Sequence, residues 1–165
     1  MAVVTTYSTE VTNHKSVDNT KNPTTACEGN ARISSATIAV AAADDDTSTF
    51  YMVPVRSNWS IKHIFLYTDA ITSGTVWDVG LYTTAATPVV VDADAYATNV
   101  DLSSAITSLP IDVAYEARNI TAVNNKVWQD AGLSADSNVW YYLTLTADTI
   151  GSAAGDITVI VHYTD

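Results

Sequence analysis

The sequence holds a single cysteine, Cys27, so no internal disulfide can form. An oxidising compartment is therefore not implied, and the sequons Asn58-Trp59-Ser60 and Asn119-Ile120-Thr121 carry little weight. Charge is scarce, at 15% of residues against about 25% in ordinary globular chains. Basic residues are scarcest, seven against eighteen acidic ones, which leaves a net charge of −11. A surface this acidic repels phosphate backbones and argues against a nucleic-acid partner. The six glycines are dispersed and leave no loop that could cradle a phosphate. No apolar run approaches the ~18 residues of a membrane helix, so no membrane partner is expected. The opening "MAVVTTYSTEVTNHK" lacks a basic region followed by a long apolar core, so a signal peptide is not expected either.

What remains is a chain of 165 residues that is 47% hydrophobic, with a mean hydropathy of +0.10. That length suits one globular domain with a real core. Residues 1–30 read differently. They are rich in Thr, Asn and Lys, show no sustained periodicity, and contain Pro23 and Gly29. Only "AVVTTY" and "EVT" suggest short strands there. Residues 1–32 carry three basic and three acidic groups, so the whole net charge belongs to residues 33–165. The expected organisation is an N-terminal arm, 1–30, leading into a β-sandwich domain, 31–165. A polar arm of this kind needs something to lie on, whether its own body, a sister subunit or another protein.

The body alternates apolar and polar residues between turn signals. The pattern predicts strands at Arg32–Ala42, Ser48–Val55, Ile61–Thr68, Thr75–Thr83, a weak one at Thr98–Leu102, Ile111–Ala117, Val139–Thr146 and Ile157–Tyr163. One helix is expected over about 121–131, with Thr121 as N-cap and Gly132 as C-terminal stop. Eight short strands in such a length fit an all-β fold, a two-sheet antiparallel sandwich of jelly-roll type.

Strand parity then sorts side chains by face. In "ITSGTVWDVGLYTT", Trp77, Val79 and Leu81 share the core side, while Asp78 points with Val76, Gly80 and Tyr82 to the other. Asp78 is thus expected on a solvated sheet face and not in a buried catalytic site. Likewise Ile111, Val113 and Tyr115 are expected inside, with Asp112, Ala114 and Glu116 outside. For the last two strands, pairing Leu145 with Ile157, Leu143 with Val159, Tyr141 with Val161 and Val139 with Tyr163 gives one apolar face. The opposite face then carries Trp140 with His162, and Tyr142 with Ile160. That end is too aromatic to lie bare: the helix or the arm covers it, or a neighbouring subunit does.

Reactive constellations are thin. "GSAAG" misses the G-x-S-x-G spacing and lies in a loop, and Cys27 has no histidine beside it. His14, His63 and His162 are widely separated. The acidic run Asp44, Asp45 and Asp46 is the best cation candidate, but it lacks the ligand spacing and glycine of a calcium loop, and a solvated turn is the better reading. Asp92 and Asp94 share one side of any strand, and the same holds for them. Nothing selects the carboxylate pair a glycosidase needs. Trp59, Tyr67, Tyr82, Trp140 and Tyr142 could form a sugar-stacking platform, although core or interface roles suit most of them. No catalytic, metal or cofactor residues are assigned, and the chain is read as non-enzymatic.

The segments "DAITSGTVWDVGLYTT", "KVWQDAGLSADSNVWYYLTLTADT" and "GSAAGDITVIVHYTD" resemble a group of small virion proteins of tailed bacteriophages, the capsid decoration or cement proteins. The resemblance spans roughly residues 31–165 and rests on structural motifs, "WDVGLY" and the junction into "GLSAD". It implies a non-enzymatic protein made in the host cytoplasm that binds the outer capsid surface of the virion and stabilises the shell by bridging capsid subunits. Its partners would be the major capsid protein and copies of itself, as dimer or trimer. Interface candidates are Tyr7, Val11, Lys15 and Lys21 on the arm, with Trp140, Tyr142, Ile160 and His162 on the body. Two other classes stay open: a carbohydrate-binding, lectin-like sandwich of a tail or head fibre, and a virion hydrolase with a convergent acid pair.

Overall fold

The computed structural model describes residues 8–15, 21, 29–42, 44, 46–71, 76–149 and 154–165. Among these, eight strands carry the fold: β1 (Ala31–Val40), β2 (Thr49–Arg56), β3 (Ser60–Thr68), β4 (Val76–Thr83), β5 (Val90–Asp101), β6 (Ile106–Asp112), β7 (Trp140–Thr149) and β8 (Gly155–Thr164). They form two four-stranded antiparallel sheets, ordered β1-β8-β3-β6 and β2-β7-β4-β5. The pairs β1–β8, β2–β7, β3–β6 and β4–β5 all occur, so first meets last and pairing runs inward along the chain. Such an antiparallel ribbon, wound over itself into two layers, is the jelly-roll arrangement of an eight-stranded sandwich.

The core lies between the sheets and follows the two-residue period of the strands. Trp77, Val79 and Leu81 of β4 are buried, as are Ile61, Ile64 and Leu66 of β3 and Leu143 and Leu145 of β7. Ile157, Val159 and Val161 of β8 complete the opposing layer. Asp78 faces outward and half-exposed, and its carboxylate accepts the Asn99 backbone N–H at 2.9 Å. It belongs to the outer wall. Gly80, two residues on, is required by close approach: a Cβ there would lie 2.2 Å from the carbonyl oxygens of Asp92 and Ala93.

Four sequence expectations are corrected. First, β7 and β8 are not paired; they sit in different sheets. Their apolar sides do face the common core, but across the sandwich. Parity alone cannot distinguish lateral neighbours from residues in facing layers. Second, the weak strand near Thr98–Leu102 is the end of the longer β5, and the strand expected at Ile111–Ala117 ends at Asp112. The Asp112 carboxylate accepts the backbone N–H groups of Ile64 and Ala114, both at 3.1 Å, and turns the chain out of the sheet. Val113 and Ala114 are consequently both buried, which overturns the outward placement of Ala114.

Third, the single helix over 121–131 is two pieces, a 3-10 turn at Ile120–Asn124 and one α-turn, α2, at Val127–Asp130. Asn119 starts the first by accepting the Thr121 N–H at 2.9 Å. The second cannot join it, because the N–H groups of Val127 and Trp128 donate to Trp59 and Ser57 carbonyls in the β2–β3 turn. Gly132, with φ of +71°, does stop the helix. Gly132 and Leu133 donate back to Gln129 and Trp128, closing a Schellman cap. Fourth, "EVT" of the arm lies in a short helix, α1 (Thr9–Lys15), and not in a strand. Ser8 begins it, its side-chain oxygen accepting the Val11 N–H at 3.3 Å. The other arm segment proposed as a strand, "AVVTTY", lies outside the described residues.

Candidate interaction surface

The register of the β1-β8-β3-β6 sheet gives a grid of outward side chains. Across β1, β8 and β3 runs a row Ile33–His162–His63, and beside it Ser35–Ile160–Phe65, continued onto β6 by Asp112. The first row lies two residues inside β1, where the arm joins the body. His63 stacks on Phe65 with centroids 5.3 Å apart, and His162 meets Phe65 edge-on at 5.3 Å. His63 Nδ1 and Asp112 Oδ2 are hydrogen-bonded at 2.6 Å. Ile33 is 64% exposed. This arm-side half of the face is therefore apolar and aromatic, with one carboxylate, and its rings are held in fixed orientations by neighbours.

The other sheet presents a second aromatic face. Pro54, Tyr142 and Tyr82 stand side by side, and Tyr51 packs on Tyr142 and Tyr82 at 5.5 and 5.8 Å. The Tyr82 hydroxyl and Thr146 Oγ1 are hydrogen-bonded at 3.1 Å. At the end of this face Trp140 lies edge-on to Trp59 at 5.3 Å, and Trp59 stacks on Tyr163 at 4.1 Å. The Arg56 guanidinium sits 5.7 Å from the Trp140 ring centre and donates to Asn138 Oδ1 at 2.9 Å. Trp140 nonetheless remains 42% exposed.

The eight interface candidates are thus not one patch. Trp140 and Tyr142 lie on the outer side of one sheet, Ile160 and His162 on that of the other. They point away from each other, because the pairing that placed them together does not exist. Val11 and Lys15 lie on α1, both exposed, Lys21 is exposed, and Tyr7 is outside the described residues. Sequence reasoning missed His63, Phe65 and Asp112. A bulge at Lys62 shifts parity in mid-strand, between Ile61 and His63, so the alternation that marks β3 elsewhere breaks where the face begins.

The segment between β6 and β7 closes the arm end of the sandwich and is fixed by a buried ion pair. Arg118 and Asp130 meet at 2.6 Å with side chains only 4% and 1% exposed. Arg118 also donates to the Ile61 carbonyl at 3.2 Å and lies between the rings of Tyr96 and Tyr115, 4.9 and 4.6 Å from their centres. Tyr96 and Asn125 donate to the Asp130 carboxylate at 3.2 and 3.3 Å. Burial pushes the Asp130 carboxyl above the usual carboxylate range, and Arg118 pulls it back only in part. Burial likewise raises the Tyr96 hydroxyl, and lowers the Lys62 ammonium with help from Arg118. Lys62 donates to the Val123 carbonyl at 2.7 Å and to Asn124 Oδ1 at 3.0 Å, pinning the 3-10 turn. Ile120 and Val123 on that turn are exposed.

Of the acidic candidates, Asp44 and Asp46 lie between β1 and β2, and Asp92 and Asp94 lie in β5. Asp44 Oδ2 accepts the Ala41 N–H at 2.7 Å, Asp46 is exposed, and Asp45 is outside the described residues. Asp92 accepts the Asp94 N–H at 3.4 Å, and its carboxyl is raised by burial and then by Asp94 beside it. Among the described residues no three His, Cys, Asp or Glu side chains converge as metal ligands would.

No family model matches the chain, and no curated protein matches it in sequence. Its fold, however, matches solved structures. A chain of the cyanophage Pam1 capsid asymmetric unit superposes with a TM-score of 0.55 and 13% identity, over 82% of this chain and 85% of that one. A chain of the capsid of Ralstonia phage GP4 superposes with a TM-score of 0.61 and 10% identity, over 83% of this chain and 85% of that one. At these identities the likeness is one of fold.

Proposed function

We propose that this is a non-enzymatic structural protein of a tailed-phage virion, bound to the outside of the capsid and stabilising it by bridging subunits. One observation carries the reading: the fold is shared, over more than four-fifths of the chain, with chains found in two phage capsids. The geometry supplies a means. Two aromatic faces on opposite sides of one rigid sandwich can touch two neighbours at once. In this reading the face around Ile33, Phe65, Ile160 and His162 meets the major capsid protein, while Tyr142 and Trp140 meet a second copy, in a dimer or a trimer. The arm, through Tyr7, Val11, Lys15 and Lys21, adds reach from the edge of the first face. Many modest contacts, repeated over a lattice, would raise the temperature at which the shell opens.

The test is copy number. Quantitative mass spectrometry of gradient-purified virions should give hundreds of copies in simple ratio to the major capsid protein. A count near a dozen would reassign the chain to a tail or spike, and absence from virions would refute the proposal. Co-sedimentation of the purified protein with capsids lacking it then locates the contact. Ile160→Asp or loss of residues 1–30 should weaken binding at least tenfold, and unchanged binding in both would remove these residues from the interface.

A further inference from the structure

The half of the first outer face away from the arm is neither apolar nor flat. Opposite the single residue Tyr67, β6 inserts four residues, Thr107 to Pro110: Leu66 pairs with Ile111 but Thr68 with Ile106. The insertion stands off the sheet and walls a groove of about 280 Å³ whose lining includes Thr37, Tyr67, Asp69, Thr107, Asp156 and Thr158. Asp69 and Asp156 also line an adjoining hollow of about 250 Å³ towards Gly155, so the groove continues past them. Thr37, Thr158 and Tyr67 form one row across β1, β8 and β3, with the two hydroxyls in contact at 2.8 Å. Asp69 Oδ2 accepts the Asp156 backbone N–H at 3.1 Å, which fixes the Asp69 carboxylate against the start of β8.

We infer that this groove is a binding site for a neutral, hydroxyl-rich sugar ring. The chemistry of its walls is that of sugar recognition. Tyr67 offers a half-buried aromatic ring for the apolar C–H side of a pyranose. Asp69 and Asp156 offer acceptor-only oxygens for vicinal hydroxyls, and the threonine pair can both give and take hydrogen bonds. Two carboxylates on a chain of net charge −11 disfavour anionic sugars. Among the described residues the carboxylates do not converge with a third ligand as a cation cage would. The inference does not depend on the virion reading, because the groove lies on the opposite half of the face from the proposed capsid contact.

The test is a titration of the isotopically labelled full chain, followed by amide NMR. The probes are the methyl glycosides of glucose, galactose and mannose, then N-acetylglucosamine, with calcium chloride as a separate arm. At least one sugar should shift the amides of Thr37, Thr68, Asp69, Thr107, Asp156 and Thr158 together, with a millimolar Kd fitting an open site. Tyr67→Ala should weaken that binding at least tenfold and Asp156→Asn several-fold, each with the remaining spectrum unchanged. No shift with any sugar overturns the inference. So do shifts confined to the Trp140 and Tyr142 face, or a response to calcium alone. Should a variant fail to fold, the shift map of the unmodified chain decides the question.

Discussion

Replacing Arg118 with methionine probes the joint that holds the arm end of the sandwich together. Methionine keeps most of the stem packing against Tyr96 and Tyr115 but deletes the charge facing Asp130. At neutral pH this strands a carboxylate that is only 1% exposed, and losing one partner of a buried pair costs about 3–5 kcal/mol. That is a large share of the roughly 5–15 kcal/mol by which domains are stable. The pH dependence gives the mechanism. Burial already holds the Asp130 carboxyl above its unfolded range, and Arg118 is the main force pulling it down. Without Arg118 it rises further. A carboxyl whose folded pKa exceeds its unfolded one favours the fold below the unfolded value, and that advantage is lost as pH rises through the folded one. Urea unfolding of Arg118→Met should therefore show a penalty that is smallest in mild acid and grows towards neutrality. The double variant Arg118→Met/Asp130→Leu should recover most of it, with no stranded charge. A loss under about 1 kcal/mol at neutral pH, or a penalty the same at every pH, would refute the reasoning and make the pair incidental.

Other outcomes follow from single contacts. Gly80→Ala drives a methyl group into the Asp92 and Ala93 carbonyls and should cost about 1–3 kcal/mol, seen as a lower Tm. Ser57→Ala removes a buried hydroxyl that donates to Asp136 at 2.5 Å and accepts the Val139 N–H at 3.2 Å. Leaving that N–H without a partner should cost about 1–3 kcal/mol, read by urea titration. Hydrogen bonds from Ser57 and from the Asn138 N–H hold the Asp136 carboxyl below its usual range. Its contribution is present above the unfolded pKa and fades as pH falls through the lower folded one. Asp136→Asn should accordingly flatten the loss of stability below about pH 4, and an unchanged acid limb would show that other carboxylates set it.

How far the sequence could be read depended on whether a feature was local. The inward sides of β3, β4, β7 and β8 were legible because Ile64, Leu66, Trp77, Val79, Leu143, Leu145, Ile157 and Val159 obey a two-residue period that any half-buried strand must show. Gly132 was legible as a helix stop because a left-handed turn favours glycine. The split of 121–131 was not, because the hydrogen bonds that break it come from Ser57 and Trp59, some seventy residues away in sequence. Nothing in the sequence marks Arg118 and Asp130, twelve residues apart, as a pair; only the closure of that loop over Ile61 and Tyr96 buries them.

The misassigned β7–β8 pair shows where the physics of register stops. Matching Leu145 to Ile157 and Tyr141 to Val161 satisfied the apolar side chains of one face, and so does the observed sandwich, where the same residues line one core from opposite sheets. Burial is indifferent to whether two apolar rows are hydrogen-bonded neighbours or opposing layers about 10 Å apart. What separates the two is the fate of the outward residues. As neighbours in one sheet, Trp140, Tyr142, Ile160 and His162 would form a single aromatic patch with room for one partner. In separate layers they form two faces, each completed by strands distant in sequence: Tyr51 and Tyr82 on one, His63 and Phe65 on the other. A protein with a single patch can coat a surface, but joining two molecules through such patches requires two. Under the proposed function, the winding of the ribbon that puts β7 and β8 in different sheets would supply the two faces that bridging needs.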